Sequence, residues 1–292
     1  MDNPKVSICI PTYNGSAFIV EAMKSAIKQT YKNIEIVVSD DASKDDTIKL
    51  IESFKKKTEI PIYIHHHQPS GIGANWNHSV KKANGEYIKF LFQDDVLMPT
   101  CIERMVALAL SQENVGLVYC KREILYNPEN TFDANWFKKF ENLHVFWKEI
   151  TISQGVITGK KYLEDSGFLN YPLNKIGEPP AVLLHNSVFD KVGSFNTNLN
   201  QELDFEFWYR LMPYFKVGFV DEKLIKFRLH SNQATQINKQ NTTKDSALLP
   251  MLFLKHIFKY LHPSQKKKLI FMILKNFSLY NIYIKTRKKM KI

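Results

Sequence analysis

Short apolar runs alternate with amphipathic segments through the first 120 residues. The runs have the length and β-branched content of buried strands and occupy residues 5–10, 34–39, 60–66, 86–92 and 115–120. Helical periodicity separates them in residues 16–31, 45–57, 74–84 and a segment ending near Ser111. In the first, Ser16 is a candidate N-cap. Repeated strand–helix units predict an α/β fold with a mostly parallel, doubly wound sheet.

Polar residues follow three of the predicted strands at the point where each strand ends. They are the stretch 11–14, the pair Asp40 and Asp41, and the pair Asp94 and Asp95. Ligands of such sheets bind at the carboxyl ends of the strands, so we expect a ligand site at this edge. Adjacent carboxylates at the end of a buried strand repel each other unless a cation or a polar ligand lies beside them.

The rest of the chain is less regular. We assign no elements to residues 121–175, whereas apolar runs resume from Pro179 to about Asn232. Residues 246–292 have the pattern of two helices separated near Pro263. The predicted organisation is a folded domain in 1–240, with a regular half in 1–120 and a less regular half in 121–240, followed by a basic, amphipathic helical tail in 241–292.

The net charge of +11 is concentrated at one end of the chain. Residues 246–292 hold 11 of the 40 basic residues and no acid, which leaves 29 basic against 29 acidic residues in 1–245. An anionic partner surface for the tail is therefore expected. The apolar residues of the tail favour a lipid interface over nucleic acid. No signal-peptide pattern and no apolar run of about 18 residues is present, so we predict a cytoplasmic protein, peripheral at the inner face of the membrane. Cys9, Cys101 and Cys120 are expected to be buried free thiols.

Five motifs in a fixed order give the chain a family resemblance. They are VSICIPTYNG, IEIVVSDDASKDDT, ANGEYIKFLFQDD, LDFEFWYRL and KFRLHSNQ. Over residues 4 to 235 the sequence resembles the inverting GT-A glycosyltransferases of the large family two, which use nucleotide-sugars. The resemblance implies a Rossmann-like sheet flanked by helices, and it leaves the C-terminal helical extension unexplained. It also implies that residues 1–240 are a catalytic domain, with a nucleotide-binding half in 1–120 and an acceptor half in 121–240.

The resemblance implies a role for each polar strand end. Tyr13 would stack on a uracil-type base beside Pro11, and Asp41 would accept a hydrogen bond from the base. Asp94 would face the ribose, and Asp95 would ligate Mn²⁺ or Mg²⁺. His230 would lie near the diphosphate and the metal, and Arg228 would neutralise phosphate. The motif departs from the family pattern at Gln93, where an acid is usual.

The remaining implied residues belong to the acceptor side. Asp204 in LDFEFWYRL would be the general base that deprotonates the attacking hydroxyl, with Glu202 as the alternative if the register differs. Leu203 replaces the acid that the family often has there. Glu178 and Trp208 are expected to contact the acceptor. The alternative interpretation of Asp204 and Glu206 is favourable interaction with the dipole of their helix. For His65–His67 we favour the edge of a strand over a metal site.

The predicted function is metal-dependent, inverting transfer of a sugar from a nucleoside diphosphate to a hydroxyl acceptor. UDP is the nucleoside diphosphate that we favour. The acceptor would be a bacterial surface glycan or a lipid-linked oligosaccharide. Two alternatives stay open: transfer to polyprenyl phosphate, which needs no strong base, and a catalytically silent scaffold that binds nucleotide-sugar at the membrane. Homo-oligomerisation is also left open.

Overall fold

The structure of the protein is a computed structural model that describes residues 3–230, 233 and 242–289. In the last of these segments, side chains are described only for residues 245–276. Within those residues the strands are β1 (Val6–Thr12), β2 (Ile34–Asp40), β3 (Ile62–His66), β4 (Tyr87–Phe90), β5 (Val96–Leu97), β6 (Val115–Leu125), β7 (Gly155–Thr158), β8 (Val182–His185) and β9 (Lys216–Arg228). The helices are α1 (Ile19–Ile27), α2 (Thr47–Lys55), α3 (Ile72–Lys82), α4 (Cys101–Ala109), α5 (Thr131–Phe140), α6 (Gly159–Glu164), α7 (Ser187–Val192), α8 (Leu203–Leu211), α9 (Thr242–His256) and α10 (Pro263–Lys289). The boundary predicted at 240/241 lies outside the described residues.

These strands form one sheet in the order β3-β2-β1-β4-β8-β6-β9-β5, and β7 pairs with β9. Strands β1 to β4 are mutually parallel, as the strand–helix pattern predicts. Strand β8 lies antiparallel between β4 and β6, and β9 is parallel to β6. The α/β architecture with flanking helices is confirmed, and its sheet is mixed beyond β4.

Apolar residues of the inner strands alternate between two cores on opposite faces of the sheet. Cys9 and Val37 belong to one core, whereas Ile8 and Val38 belong to the other. Burial on both faces explains why these strands are continuous apolar runs. The three cysteines are buried and unpaired, as expected.

Two local predictions differ from the structure. Helix α1 begins at Ile19, and Ser16 does not cap it. Instead, the Ser16 amide donates to the Asp45 carboxylate, which draws the preceding loop towards the start of α2. In residues 121–175, left unassigned, β6 continues to Leu125 and is followed by α5.

The two C-terminal helices pack on the sheet domain. Leu249 and Phe253 of α9 and Leu269 of α10 are buried in the same core as Trp208 and Phe168. Asp245 accepts backbone N–H groups from residues 200–202, just before α8. Among the described helices, none combines the length and the apolar content that crossing a membrane requires.

Candidate functional site

The parallel register brings the polar strand ends to one edge of the sheet. Thr12 pairs with Asp40, and Cys9 pairs with Phe90, so the loops that follow β1, β2 and β4 are neighbours. Strand β5 pairs antiparallel with the end of β9, which carries residues 94 and 95 to Arg228. This edge therefore collects the residues that the sequence had suggested for the donor.

Tyr13 is 53% exposed and is held through its backbone rather than its ring. The Gln93 amide accepts from the Tyr13 N–H at 2.9 Å and donates to the Tyr13 carbonyl at 3.1 Å. Gln93 thus fixes the loop that carries the Tyr13 ring. This is a structural role for the residue at which the sequence departs from the family motif. Pro11 lies within β1, half-buried, opposite Ser39.

The paired acids after β2 have separate surroundings. Asp40 is buried and accepts from Thr12 Oγ1, Ser43 Oγ and the Ser43 amide, so it closes its own loop. Asp41 Oδ1 lies 2.6 Å from His67 Nδ1. Burial raises the pKa of the Asp41 carboxyl, and the hydrogen bond from His67 acts in the opposite direction. Only Asp41 keeps an oxygen free of the loop's own hydrogen bonds.

His67 was not singled out by its sequence position, since it follows two other histidines. Its ring packs 4.7 Å from the ring of His78, and His78 Nδ1 lies 2.7 Å from Ser39 Oγ. His65 and His66 belong to β3, which pairs with β2 at the edge of the sheet. His65 and His66 therefore form the end of an edge strand, as favoured from the sequence, and His67, which follows the strand, contacts Asp41.

The two acids after β4 also differ in their surroundings. Asp95 is 1% exposed; its Oδ1 accepts from the Arg228 amide at 3.0 Å, and its Oδ2 is buried without a partner. Burial, with the charge of Asp94, raises the pKa of Asp95 well above its usual value. Asp94 is partly exposed, and its Oδ2 lies 2.9 Å from His230 Nε2.

Arg228 is engaged by protein groups. Its Nε donates to the Asp94 carbonyl, and its Nη2 contacts Glu21 at 2.5 Å. Phe18 lies beneath both the Arg228 guanidinium and the His230 ring, each at 5.0 Å. Arg228 therefore stabilises the arrangement of Asp94, Asp95 and His230.

This arrangement fits a divalent cation in part. A carboxylate oxygen of Asp94 and a ring nitrogen of His230 converge, and the unpartnered Asp95 oxygen is a further donor in the same turn. Mn²⁺ accepts both oxygen and imidazole ligands. No group of three or more His, Cys, Asp or Glu side chains in the described part of the chain is arranged to hold a metal. A cation here would need ligands from a bound diphosphate, as Mg²⁺-type sites commonly do.

Asp204 lies in the first turn of α8 and is 8% exposed. Its Oδ2 accepts from Asn174 Nδ2 at 3.0 Å, and its Oδ1 accepts from the Phe205 amide at 2.7 Å. Burial, aided by the charges of Glu178 and Glu202, raises the pKa of Asp204 to about 8. A carboxyl whose pKa is near neutrality is suited to accept and release a proton.

The neighbouring acids have other partners. Glu206 is buried in an ion pair with Arg210, whose guanidinium also donates to the Val192 and Ser194 carbonyls. Glu202 has its pKa raised to about 7 by burial and by the charge of Asp245. Its Oε2 is buried without a partner. Glu202 therefore stays the second candidate after Asp204.

The expected contact of Trp208 with an acceptor is wrong for this structure. Its side chain is fully buried, and its indole N–H donates to the Gly177 carbonyl at 3.0 Å. Trp208 is buried because α8 is enclosed on every side: all its residues from Leu203 to Leu211 are buried. Glu178, also expected at the acceptor, is partly exposed and is paired with the buried Arg122.

Asn174 and Lys175 were missed by the sequence analysis, because an irregular loop has no periodicity to reveal its contacts. Asn174 Oδ1 accepts from the amides of Ile176 and Gly177, which fixes its Nδ2 towards Asp204. Lys175 is buried and donates to the carbonyls of Phe168 and Asn170, each at 2.8 Å. The loop is thus held in place around the candidate base.

Comparisons with known proteins agree with this architecture. The model of the family described as Glycosyl transferase family 2 matches residues 7–166. An uncharacterized glycosyltransferase of Rickettsia typhi is 32% identical over 235 residues, covering 80% of this chain and 66% of that protein. Another, from Rickettsia felis, is 30% identical over 246 residues, covering 80% of this chain and 35% of that protein. The chain thus spans less than two thirds of either relative.

Solved structures share the fold at low sequence identity. S. aureus TarS 1–349 in complex with UDP-GlcNAc superposes with a TM-score of 0.64 and 18% identity, covering 93% of this chain and 72% of that one. The mannosyltransferase PcManGT from Pyrobaculum calidifontis, in complex with GDP-Man and Mn²⁺, gives a TM-score of 0.62 and 16% identity, with coverages of 95% and 74%.

Proposed function

Because this chain belongs to glycosyl transferase family 2 and has the GT-A fold, we propose that it transfers a sugar, with inversion, from a nucleoside diphosphate sugar to a hydroxyl acceptor. The observation that carries this proposal is Asp204. It is a buried carboxyl whose pKa is raised to about 8, and its two oxygens accept from the Asn174 side-chain amide and the Phe205 backbone amide. Such a group can take the proton of an attacking hydroxyl.

The donor would bind at the strand ends that carry Tyr13 and Asp41. The exposed Tyr13 ring offers a stacking face for a base, and Asp41, held by His67, offers a hydrogen-bond acceptor for a base N–H. We place UDP first among the donors, on the grounds that the TarS structure contains UDP-GlcNAc. PcManGT, with GDP-Man and Mn²⁺, makes GDP the second nucleotide to test.

We assign the divalent cation, Mn²⁺ or Mg²⁺, to Asp94 and His230 rather than to Asp95. Asp94 is the more exposed acid and converges with His230, whereas one oxygen of Asp95 is occupied by the Arg228 amide. When bound, a divalent cation neutralises charge on the diphosphate leaving group. Arg228, engaged by Glu21 and the Asp94 carbonyl, would act by holding this turn in place.

The acceptor would approach Asp204 beside Glu178, and we propose a glycan or lipid-linked glycan. Transfer to a polyprenyl phosphate is the competing activity. A phosphate acceptor is already ionised and needs no strong base. Asp204→Asn should therefore lower turnover by about 10²–10⁴ for a hydroxyl acceptor and leave transfer to a phosphate nearly unchanged. The same variant should retain wild-type affinity for UDP, since Asp204 lies on the acceptor side.

A panel of UDP- and GDP-sugars, assayed for release of nucleoside diphosphate with Mn²⁺, Mg²⁺ or EDTA, tests the proposal directly. We expect release from one donor, dependent on the cation, and an anomeric configuration in the product opposite to that of the donor. A catalytically silent scaffold would bind UDP without releasing diphosphate from any donor. Retention of configuration would contradict the role given to Asp204.

We also propose that the tail brings the enzyme to an anionic membrane surface at the inner face of the cell membrane. Ile270, Phe271 and Leu274 of α10 are exposed large apolar side chains. Lys266 and Lys267 precede them, and Lys275 follows. An exposed apolar strip flanked by lysines suits the interface of a bilayer with acidic lipids. Oligomerisation stays an open prediction.

A further inference from the structure

We propose that Tyr171 and Lys139 form a subsite for an anionic group of the acceptor, one or two sugar units away from the hydroxyl that attacks. The inference rests on the proposed transfer to a glycan, and it adds that the acceptor glycan carries an anionic group. Tyr171 is 66% exposed, more than most other large aromatic side chains here. Lys139 Nζ lies 4.5 Å from the centre of the Tyr171 ring. The Phe140 ring packs edge-on against the Tyr171 ring, with 5.9 Å between the ring centres.

Tyr171 is exposed on a loop that the rest of the molecule holds firmly. Gln265 of α10 accepts from the Leu169 amide and donates to the Ser166 carbonyl. Lys268 donates to the Leu169 carbonyl and to Asn170 Oδ1, both at 2.9 Å. On the other side of Tyr171, the Tyr209 hydroxyl donates to the Leu173 carbonyl. An aromatic ring fixed in solvent loses little freedom when it binds a ligand.

The same loop limits how far the backbone of Tyr171 lies from the candidate base. Asn174, three residues further along, donates to Asp204. The backbone from residue 171 to residue 174 spans at most about 11 Å, on the order of the length of two sugar units. This short backbone separation is why we place the subsite one or two sugar units from the attacking hydroxyl.

Lys139 reaches this place from a separate element that is also tied to the site. The Phe140 carbonyl at the end of α5 accepts from Arg122, and Arg122 is paired with Glu178. Arg122 also lies 5.4 Å from the Trp136 ring, which stacks on Phe227. The end of α5 and the loop of Tyr171 are thus both anchored next to the acceptor side of Asp204.

The local charge selects the class of ligand. Lys139 lies over the Phe140 and Tyr171 rings, and Lys268 donates to a carbonyl and to an amide oxygen; all of these groups are neutral. Two of the nearby acids have cationic partners: Glu141 contacts Lys223 and Glu178 contacts Arg122. Asp204 and Asp165 instead accept hydrogen bonds from amide N–H groups. An ammonium group over an exposed tyrosine ring keeps donors for a carboxylate or a phosphate. Both groups share this chemistry, so the test must separate them.

The experiment measures binding of three disaccharides to the full chain with UDP and Mn²⁺ by isothermal titration: maltose, maltose 1-phosphate and digalacturonate. In both anionic probes a charged group lies on the unit next to the non-reducing end. We expect an anionic probe to bind more tightly than maltose. Lys139→Gln should remove the preference, with an effect of up to about fivefold, the scale of a solvent-exposed ion pair. Tyr171→Ala should weaken all three probes. The tighter of the two anionic probes identifies the group as phosphate or carboxylate.

Tyr214→Ala is the matched control. Tyr214 is also exposed, at 43%, and also carries a lysine over its ring, Lys191 at 5.0 Å. It lies next to Asn114 at the start of β6, at the opposite edge of the sheet. Equal binding of charged and neutral probes, no binding of either anionic probe, or equal effects of Tyr171→Ala and Tyr214→Ala would overturn the subsite. UDP binding, measured alone, reports on the proposed function independently of these outcomes.

Discussion

At the scale of single residues, carboxyl groups of the site differ through their surroundings rather than their type. Asp40 accepts hydrogen bonds from Ser43 in its own loop, Asp41 contacts one histidine, and Glu206 forms an ion pair with an arginine. Asp204 has only amide donors, so burial dominates and its pKa rises to about 8. The surroundings of Asp204 therefore oppose its ionisation when no substrate is bound.

The raised pKa of Asp204 predicts how stability changes with pH. A carboxyl with a higher pKa in the folded state contributes stability at low pH, which is lost as the pH rises through about 8. Asp204→Asn cannot ionise, so its melting temperature should approach that of the wild type at pH 5 and exceed it at pH 9. Thermal unfolding at both values tests this, with the exposed Asp190→Asn as the control. A constant difference between wild type and Asp204→Asn across this range would contradict the burial argument.

A second residue-scale prediction separates Asp94 from Asp95. Asp94→Asn should lose most of the Mn²⁺-dependent part of UDP affinity, because Asp94 converges with His230. Asp95→Asn should retain more of it, since an amide oxygen can still accept from the Arg228 N–H. UDP titrations with Mn²⁺ and with EDTA measure that part for each variant. The reverse order of effects would restore Asp95 as the cation ligand.

At the scale of elements, the sequence predicted the strands and helices that the local hydrophobic pattern determines. The apolar runs located β1 to β4 and the start of β6, and parallel order placed Tyr13, Asp41 and Asp94 at one edge. The direction of β8 could not be predicted, because a four-residue apolar run pairs equally well either way and long-range packing decides. The turn after Phe90 decides which of two adjacent acids faces outward, and periodicity contains no information about that turn.

The loop that carries Asn174 also depends on contacts distant in sequence. Buried Gln265 satisfies two backbone groups of residues 166–169 from the first turn of α10. Gln265→Ala leaves both groups without partners, so we expect a loss of about 1–3 kcal/mol in the free energy of unfolding. Urea unfolding measures it. The exposed Gln112→Ala, which loses one surface contact with Lys216, should change stability by less than about 0.5 kcal/mol. Similar values for the two variants would show that the tail does not support this loop.

At the scale of the whole molecule, the tail has two apolar faces with different environments. One face, with Leu249, Phe253 and Leu269, completes the core of the sheet domain. The other leaves Phe271 67% and Leu274 61% exposed. Phe277 and the basic end from Lys285 lie outside the described side chains. Because the first face is part of the core, deleting the tail would uncover apolar residues, so truncation is a poor test of membrane binding.

Point substitutions on the outer face give a cleaner test. The full chain should sediment with vesicles of phosphatidylcholine and phosphatidylglycerol at low salt, and not with phosphatidylcholine alone. Each lysine near an anionic surface contributes about 1 kcal/mol, so high salt should release the protein. Phe271→Ser with Leu274→Ser keeps every charge but removes apolar area, and it should reduce sedimentation without lowering the melting temperature. Leu110→Ser, at a 42% exposed leucine beyond the end of α4, should sediment like the wild type. If the double variant and Leu110→Ser behave alike, or the full chain ignores anionic vesicles, the outer face of α10 does not bind a membrane.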